Sequence, residues 1–496
     1  MTAVPGGRRE AAAGVAGLAC DLDDGGPFDG LREECGVFAI HGARGEIVAP
    51  AVHLALYALQ HRGQESAGIA TSDGTTVMIH KGMGLVAQVF DRGQVGGLRG
   101  HLGIGHVRYS TMGSASLNNA QPIFVRSPWG DLALAHNGNL TNAPALRAEL
   151  EAKGVQFTST TDSEVIAHLM ATAPAAAPED AAAYAMARIE GAYTVVVLVG
   201  GMLLGFRDAY AIRPLMLGRS GERYALASET CAFDHIGAVF VRDVDAGEVL
   251  AIDAGGLRSL QAIPRQRLAH CVFEYIYFAR PDTQLRARNV HSARKRMGRI
   301  LAREHPVDAD VVIPVPDSGM SAALGYAEAA AIPYEMGLIK NRYIGRTFIQ
   351  PDQATRDFGV QVKLNPVREV IEGKRVILVD DSIVRGTTSG KIVRLLRRTG
   401  AREVHMRISS PPIRFPCFYG IDTSSRGELV ASAQTVEQIR EMIGADSLGY
   451  LSQDALAEAL DLPRRELCMA CLDGHYPTTV PTEAQAGRFA LEHVLR

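Results

Sequence analysis

The sequence predicts two parts, an α+β part followed by an α/β part, and two patterns lead to this prediction. From residue 35 to about residue 251, short apolar or alternating strands and glycine-rich turns surround two helical stretches, which predicts sheets with helices outside. Beyond about residue 270, compact apolar strands alternate with helical segments, which is typical of a parallel α/β sheet. The chain has 496 residues, enough for two or more domains.

These patterns divide the chain into four segments. A leader spans residues 1–34, the first domain 35–265, the second domain 266–480 and a C-terminal tail 481–496. The leader combines two arginines with an Ala/Gly-rich stretch. Glycines interrupt this stretch and it is only weakly apolar, so we expect a disordered leader rather than a secretory signal. We interpret residues 253–270 as the connection between the domains and the tail as a helix.

Composition and charge argue against several classes of partner. With 51 basic and 54 acidic side chains the formal net charge is −3, which disfavours broad electrostatic binding to nucleic acid or to an anionic membrane. The sequence contains no run of about 18 apolar residues, so we expect no transmembrane helix. Seven cysteines, an odd number without an export signal, argue against a disulfide framework and favour reactive thiols or metal ligands. We therefore expect a cytoplasmic protein.

The strongest motif is KRVILVDDSIVRGTTSGKIVRLL, at residues 374–396. It predicts a buried strand that ends in Asp380 and Asp381, followed by a GTTS loop at 386–389 that opens a helix. Backbone N–H groups and hydroxyls at a helix N-terminus bind phosphate, whereas adjacent carboxylates suit ribose hydroxyls and Mg²⁺. A plain strand end with a helix N-cap would explain one Asp and one Ser, but not the carboxylate pair together with the loop.

This motif resembles the phosphoribosyl pyrophosphate (PRPP) signature of the type I phosphoribosyltransferases, and VIPVPDSGM at 312–320 is similar to their pyrophosphate-side loop. The resemblance implies a parallel α/β phosphoribosyltransferase fold for the second domain. The PRPP-binding residues that it implies are Lys340, Asp380, Asp381, Arg385, Gly386, Thr387, Thr388 and Ser389. The magnesium ligands that it implies are Ser318, Asp380 and Asp381.

In the first domain, five motifs carry the residues that cleavage of the glutamine amide needs: CGVFAI, LQHRGQESAGIA, GHVRYSTMG, AHNGNL and STTDSE. A cysteine with a free α-amine, here Cys35, supplies both nucleophile and base, because the pKa of the amine is about 8. Asn137 and the Gly138 N–H can stabilise the oxyanion. Arg108 can bind the substrate carboxylate and Asp162 its ammonium group. Singly, these residues have simpler explanations: a core cysteine, a surface arginine, an Asn-Gly hairpin turn and a helix-capping Asp.

Together these motifs resemble the class II, N-terminal-nucleophile (Ntn) glutamine amidotransferases, which implies an αββα sandwich and cleavage of the chain between Glu34 and Cys35. One family joins both halves in this order, the glutamine phosphoribosylpyrophosphate amidotransferases, and the resemblance covers about residues 35–477. It implies that PRPP, glutamine and water give 5-phosphoribosylamine, pyrophosphate and glutamate, the first committed step of de novo purine biosynthesis, with ammonia passed between two sites. It also implies a mobile lid at 340–357, feedback inhibition by purine nucleotides and a homotetramer.

Two other functions stay open at this point. The same glutaminase could supply another acceptor, such as a sugar phosphate or aspartate, although the PRPP motif argues against this. The chain could instead be a PRPP-binding regulatory protein without catalysis, although the intact set of glutaminase residues argues against that.

Four further cysteines suit a metal centre. Cys468 and Cys471 form a C-x₂-C pair, whereas Cys271 and Cys417 lie far away in sequence. Four thiolates fit zinc or an iron–sulfur cubane, and the spacing does not decide between these groups; the pair could also be unliganded. Leader-bearing members of the family carry a [4Fe–4S] cluster, so the resemblance implies these four cysteines as its ligands. Cys231 has no partner, and we assign it to the core.

Overall fold

The structure is a computed structural model, and it describes residues 35–109, 113–341, 364–421, 423, 426–481 and 491. The predicted leader, residues 342–357 of the predicted lid and nearly all of the predicted tail lie outside these residues. Among the described residues, no helix combines the length and apolar character needed to cross a membrane.

The first part of the chain contains two antiparallel sheets. In chain order their strands are β1 Gly36–His41, β2 Ser66–Ser72, β3 Val77–Met83, β4 Leu102–Arg108, β5 Ile123–Ser127, β6 Gly130–Leu140, β7 Gly191–Val199, β8 Met202–Arg207, β9 Met216–Ser220, β10 Arg223–Ala227, β11 Val239–Asp243, β12 Glu248–Asp253 and β13 Gly256–Gln261. One sheet has seven strands in the order β11-β9-β10-β1-β4-β2-β3, and the other has six in the order β13-β12-β8-β7-β6-β5. The α-helices of this part are Ala49–Ala58, Val86–Val89, Arg92–Gly97, Ala143–Ala152, Asp162–Ala171, Pro178–Met186 and Cys231–Ile236.

The two sheets pack face to face. Successive side chains of a strand point to opposite faces of its sheet, and both faces of these sheets are apolar. In β1, Val37 and Ala39 belong to an inner core that is shared with residues of β6, β7 and β8. Phe38 and Ile40 belong to an outer core together with the helix Ala49–Ala58. On the far side, helices pack on β6 and β7 in the same way. The layers are helix, sheet, sheet and helix, so the predicted αββα sandwich is confirmed.

The second part is built on a parallel sheet of four strands. In chain order, the strands of the whole second part are β14 His270–Cys271, β15 Gln284–Leu285, β16 Arg288–Asn289, β17 Val311–Pro314, β18 Leu338–Lys340, β19 Leu364–Pro366, β20 Arg375–Asp380, β21 Glu403–Ile408, β22 Ser447–Tyr450 and β23 Leu467–Cys468. The sheet has the order β17-β20-β21-β22. The α-helices are Val290–Glu304, Met320–Ala330, Arg368–Ile371, Thr387–Arg398, Val430–Ala433, Val436–Ile443, Gln453–Leu460 and Ala470–Asp473. The predicted α/β arrangement is confirmed, and the carboxyl ends of β17 and β20 lie side by side.

The interpretation of residues 253–270 as a plain connection is wrong in part. Residues Gly256–Gln261 form β13, which pairs along its whole length with β12 at the edge of the six-stranded sheet. Most of β13 is exposed. An exposed edge strand needs no alternation of apolar and polar residues, so the pattern GLRSLQ carried no strand signal. The predicted domain boundary at residues 265/266 lies between β13 and β14.

Candidate active sites

Cys35 immediately precedes β1 and is buried. Its Sγ donates a hydrogen bond to the carbonyl oxygen of Tyr109 at 3.3 Å. Burial raises the pKa of the Cys35 thiol to about 11, and the Tyr109 hydrogen bond and the charge of Arg108 oppose this rise. Because such a thiol is neutral at physiological pH, it needs a base before it can act as a nucleophile.

Four of the five residues predicted to bind or cleave glutamine line one pocket. Its walls include Cys35, Arg108, Gly138 and Asp162. Arg108 is the last residue of β4, is buried, and donates from Nη1 to the Ser114 carbonyl at 3.3 Å. A guanidinium and a carboxylate thus face the same space as the thiol, which suits an amino acid held by its carboxylate and its ammonium group.

Asn137 and Gly138 lie within β6, paired with Thr194 and Tyr193 of β7, so the explanation as a hairpin turn is wrong. Gly138 has a φ of +141°, and a Cβ at this position would lie 2.0 Å from the carbonyl oxygen of Ala192, so only glycine fits. The Nδ2 of Asn137 is buried and has no hydrogen-bond partner among the described residues. A buried donor without a partner costs free energy, which is consistent with a group that awaits an oxyanion.

Asp162 opens the helix Asp162–Ala171, but Thr161 occupies the N-cap position. The Asp162 Oδ2 accepts a hydrogen bond from the backbone N–H of Leu140 at 2.9 Å, and Oδ1 lies 3.8 Å from Nδ1 of His136. The carboxylate therefore faces β6 and the pocket, and the explanation of Asp162 as a helix cap is wrong.

Sequence reasoning assigned no role to several other polar residues of the pocket, among them Gln121, His136 and Ser163. The Gln121 amide accepts from the backbone N–H of His136 at 2.7 Å and donates to the Ser163 hydroxyl at 3.0 Å. Nδ1 of His136 lies 3.2 Å from the same hydroxyl. Burial lowers the pKa of His136, so its imidazole is neutral. His136 and Ser163 stand beside Asn137 and Asp162 in the motifs AHNGNL and STTDSE, but no motif connects them with Gln121, so only the fold identifies the group.

The second candidate site lies at the carboxyl end of β20. Asp380 is the last residue of this strand, and it and Asp381 are buried. Ser318 donates its hydroxyl to Asp380 Oδ1 at 3.2 Å, and Ser382 donates to Asp381 Oδ2 at 2.6 Å. Burial, followed by the negative charge of Asp381, raises the pKa of Asp380 well above its ordinary value. Two carboxylates buried side by side therefore fit a cation, which removes their repulsion.

The predicted phosphate loop, residues 386–389, follows the two carboxylates along the chain. Gly386 has a φ of +81° and is the N-cap of the helix Thr387–Arg398. Thr388 and Ser389 are buried in its first turn, whereas Thr387 is exposed. The helix N-terminus thus follows the carboxylate pair after a loop of a few residues, as the motif predicts.

Two predicted PRPP-binding cations form ion pairs. Arg385 pairs with Glu428. Lys340 ends β18, and its Nζ lies 3.1 Å from Oδ2 of Asp317 in the segment 312–320. Both side chains of the second pair are largely exposed. Lys340 is therefore placed next to the loop that the resemblance assigns to pyrophosphate.

The four cysteines grouped from the sequence lie close to one another. Cys271 in β14 and Cys468 in β23 are direct partners in a parallel pair of strands. Burial raises the pKa of the Cys471 thiol, and the charges of the three other thiols raise it further. The backbone N–H of Tyr419 donates to Cys417 Sγ at 3.4 Å. None of the four is in a disulfide.

In the described part of the chain, no group of three or more His, Cys, Asp or Glu side chains is arranged to hold a metal ion. Zinc would draw its thiolates to about 2.3 Å from a single point. A [4Fe–4S] cluster binds one thiolate at each of its irons, so its ligands do not converge in this way. Cys271, Cys468 and Cys471 are buried and Cys417 is half-buried, and thiols are ligands that either group takes.

Cys231 is buried and its Sγ lies 3.8 Å from the carbonyl oxygen of Ala58, in the outer core of the first part. This agrees with its assignment to the core.

Two family models match the chain. The glutamine amidotransferase domain matches residues 106–235, and the phosphoribosyl transferase domain matches residues 288–409. Relatives named amidophosphoribosyltransferase cover nearly all of the chain. The relative from Synechococcus elongatus is 50% identical over 486 residues, which cover 97% of this chain and 98% of the relative. The one from Bacillus subtilis is 50% identical over 456 residues, which cover 91% of this chain and 95% of the relative.

Two solved structures are similar to this chain over most of its length. The structure described as the allosteric regulatory enzyme of purine biosynthesis has 48% sequence identity and a TM-score of 0.87, covering 92% of this chain and 99% of its own. The glutamine PRPP amidotransferase from B. subtilis, complexed with ADP and GMP, has 49% identity and a TM-score of 0.86, covering 90% of this chain and 98% of its own. A glutamine amidotransferase domain is thus followed by a phosphoribosyltransferase domain, and the chain belongs to the amidophosphoribosyltransferase family.

Proposed function

We propose that the chain is a glutamine-dependent amidophosphoribosyltransferase, which converts PRPP, glutamine and water to 5-phosphoribosylamine, pyrophosphate and glutamate. The observation that carries this proposal is the presence of two sites in one chain, the Cys35 pocket and the Asp380–Asp381 strand end with its phosphate loop. No observation favours the two rival functions, a different acceptor or a regulatory protein without catalysis.

In the first domain, removal of the leader makes Cys35 the N-terminal residue, and its free α-amine takes the thiol proton. Sγ attacks the carboxamide carbon of glutamine, while Asn137 Nδ2 and the Gly138 N–H donate to the oxygen that becomes negative. The protonated amine returns its proton to the departing nitrogen, so ammonia leaves and a thioester stays on Cys35. Water then hydrolyses the thioester, which releases glutamate and restores the thiol.

In the second domain, ammonia attacks the anomeric carbon of PRPP and pyrophosphate leaves. The N–H groups and hydroxyls at the start of the helix Thr387–Arg398 bind phosphate, and Asp380 and Asp381 orient the ribose hydroxyls. Ser318, Asp380 and Asp381 would hold Mg²⁺, and this cation would neutralise the charge on pyrophosphate. The raised pKa of Asp380 supports a cation at this position. Ammonia has to travel inside the protein, since bulk water would protonate it.

Cys271, Cys417, Cys468 and Cys471 would hold a [4Fe–4S] cluster, which cross-links distant segments of the chain. Their proximity, the burial of all but Cys417 and their lack of disulfides support this assignment. Within the same proposal, purine nucleotides inhibit the enzyme; the B. subtilis structure complexed with ADP and GMP supports this part. The homotetramer, the removal of the leader and the cytoplasmic location stay predictions.

The test is an assay of the purified protein, prepared anaerobically, with PRPP and Mg²⁺. We expect pyrophosphate to form with either glutamine or ammonia, and glutamate to form with glutamine. N-terminal sequencing of the active enzyme should begin at Cys35. Pyrophosphate formation that depends on neither nitrogen source, or full glutamine-dependent activity with residues 1–34 still attached, would contradict the proposal.

A further inference from the structure

Arg62 is a buried arginine beside the nucleophile that the mechanism above does not use. It lies in the short 3₁₀ turn Gln60–Arg62 and is 1% exposed. Its Nε donates to the carbonyl oxygen of Cys35 at 3.1 Å. The guanidinium therefore fixes the peptide plane that follows Cys35, and with it the direction of the cysteine backbone and side chain.

Two carboxylates hold this guanidinium. Nη1 of Arg62 donates to Glu229 Oε1 at 2.7 Å and to Glu274 Oε2 at 2.9 Å, while Nη2 donates to Glu274 Oε1 at 2.8 Å. Both oxygens of Glu274 thus bind the two ends of the guanidinium, which is the geometry that orients an arginine best. Glu229 also accepts hydrogen bonds from four other groups, on His61, Cys231, Arg280 and Thr283.

Glu274 belongs to the second part of the chain, whereas Arg62 and Cys35 belong to the first. It opens the π-helical turn Glu274–Phe278. Arg294, on the helix Val290–Glu304, donates from Nε to the Tyr275 carbonyl at 2.7 Å and from Nη2 to the Ala279 carbonyl at 2.8 Å. These two bonds hold both ends of the turn on the helix, so Glu274 reaches Arg62 from a fixed position.

Hydrogen bonds therefore connect the helix Val290–Glu304 with the nucleophile. They run from Arg294 to the π-helical turn that Glu274 opens, and from Glu274 through Arg62 to the Cys35 carbonyl.

We propose that Glu274 is a positioning residue for glutamine cleavage, through which the second domain sets the orientation of the nucleophile in the first. This inference rests on the proposed function, because it assumes that Cys35 attacks glutamine. Misplacement of a reacting atom by about 1 Å can lower a rate by about 10²-fold. Loss of the two hydrogen bonds from Arg62 to the Glu274 carboxylate should therefore lower kcat. The glutamine contacts at Arg108 and Asp162 are not involved, so KM should change little.

The experiment compares the parent enzyme with Glu274→Gln, Glu274→Asp and the matched control Glu466→Gln. Glu466 is likewise a glutamate of the second part of the chain that pairs with an arginine, Arg286, at 2.7 Å. Four quantities are measured: kcat and KM for glutamate formation, the rate of pyrophosphate formation with ammonia, the rate of alkylation of Cys35 by iodoacetamide, and the melting temperature. Glu274→Asp keeps the charge, so it decides the question if Glu274→Gln does not fold.

We expect glutamate formation in Glu274→Gln to lose about 10- to 100-fold in kcat with KM within about threefold, and Cys35 alkylation to change in rate. The kcat of Glu274→Asp should lie between the values of Glu274→Gln and the parent. Synthesis from ammonia should stay within about twofold of the parent in both, and the control should match the parent throughout. A kcat within about twofold of the parent, or a parallel loss of the ammonia reaction, would overturn the inference. A parent enzyme that forms no glutamate would count against the proposed function instead.

Discussion

The two candidate sites differ in how the chain builds them. The glutamine pocket collects residues from the start of β1, the end of β4, the interior of β6 and the first turn of a helix, and all of them are buried. The PRPP site takes most of its predicted groups from one stretch of about ten residues, and its pyrophosphate side is open: the Lys340 and Asp317 side chains are 42% and 54% exposed.

The two sites also differ in the chemistry that burial creates. In the first, burial keeps the Cys35 thiol protonated, so activation needs a base. In the second, burial and the charge of Asp381 raise the pKa of Asp380, a shift that a bound cation would counteract. A preassembled pocket suits a reaction that must exclude water, and an open site suits a large, highly charged substrate. The predictions below test whether the two sites are separable in this way.

The largest effect should come from Cys35→Ala. Without the thiol, glutamate formation and glutamine-dependent synthesis should fall by about 10³-fold or more. Synthesis from added ammonia should stay close to that of the parent, because the second site is unchanged. Both reactions are followed by pyrophosphate release. If the folded variant lost the ammonia reaction as completely as the glutamine reaction, the two sites would not be separable.

Replacement of Asp380 and Asp381 by Asn should have the reverse pattern. Synthesis from glutamine and from ammonia should both fall by about 10²-fold or more, since the ribose geometry is needed whatever the nitrogen source. Glutamine hydrolysis should persist at a low, uncoupled rate. Glutamate and pyrophosphate are measured in the same samples. A variant with normal synthesis from ammonia would remove these carboxylates from the proposed mechanism.

Cys468→Ser should act on stability and iron content rather than on one site. The parent, purified without oxygen, should be brown and contain about four irons per chain. The variant should lose most of this iron and have a lower melting temperature, because Cys271 and Cys468 join strands from distant segments. Cys231→Ala is the matched control, a buried thiol outside the group, and should keep its iron. A colourless parent with stoichiometric zinc would contradict the cluster.

The smallest effect should come from Gly386→Ala in the phosphate loop. A Cβ there would lie 2.4 Å from the terminal methyl of Met442, a flexible side chain that can move, and the φ of +81° adds a strain of about 1 kcal/mol. We expect the KM for PRPP to rise severalfold with glutamine hydrolysis unchanged. Gly373→Ala is the control, with a φ of +72° and no atom within 4 Å of the added Cβ. An equal rise in KM in both variants would show a general effect of backbone strain.

The sequence predicted the second site better than the first. Strand, carboxylate pair, loop and helix N-terminus follow one another in the stretch 374–396, so one local pattern contains the whole arrangement. In the glutamine pocket, the motifs identified the principal residues but not their surroundings. Asn137 and Gly138 lie in a strand and Asp162 faces β6, which excludes the simpler explanations of a hairpin turn and a helix cap.

By itself, the sequence determined the two kinds of domain and their order, and it predicted the nucleophile and the phosphate loop, because each depends on neighbouring residues or on a recognisable motif. Only the tertiary structure decided the pairing of β13, the proximity of Cys271 to Cys468, and the contacts of Gln121 and His136 in the pocket. The contact of Arg62 with Glu274, 212 positions away, is of the same kind. The register of strands and the packing of one domain on another bring these groups together, and the local periodicity of side chains along the chain carries no record of either.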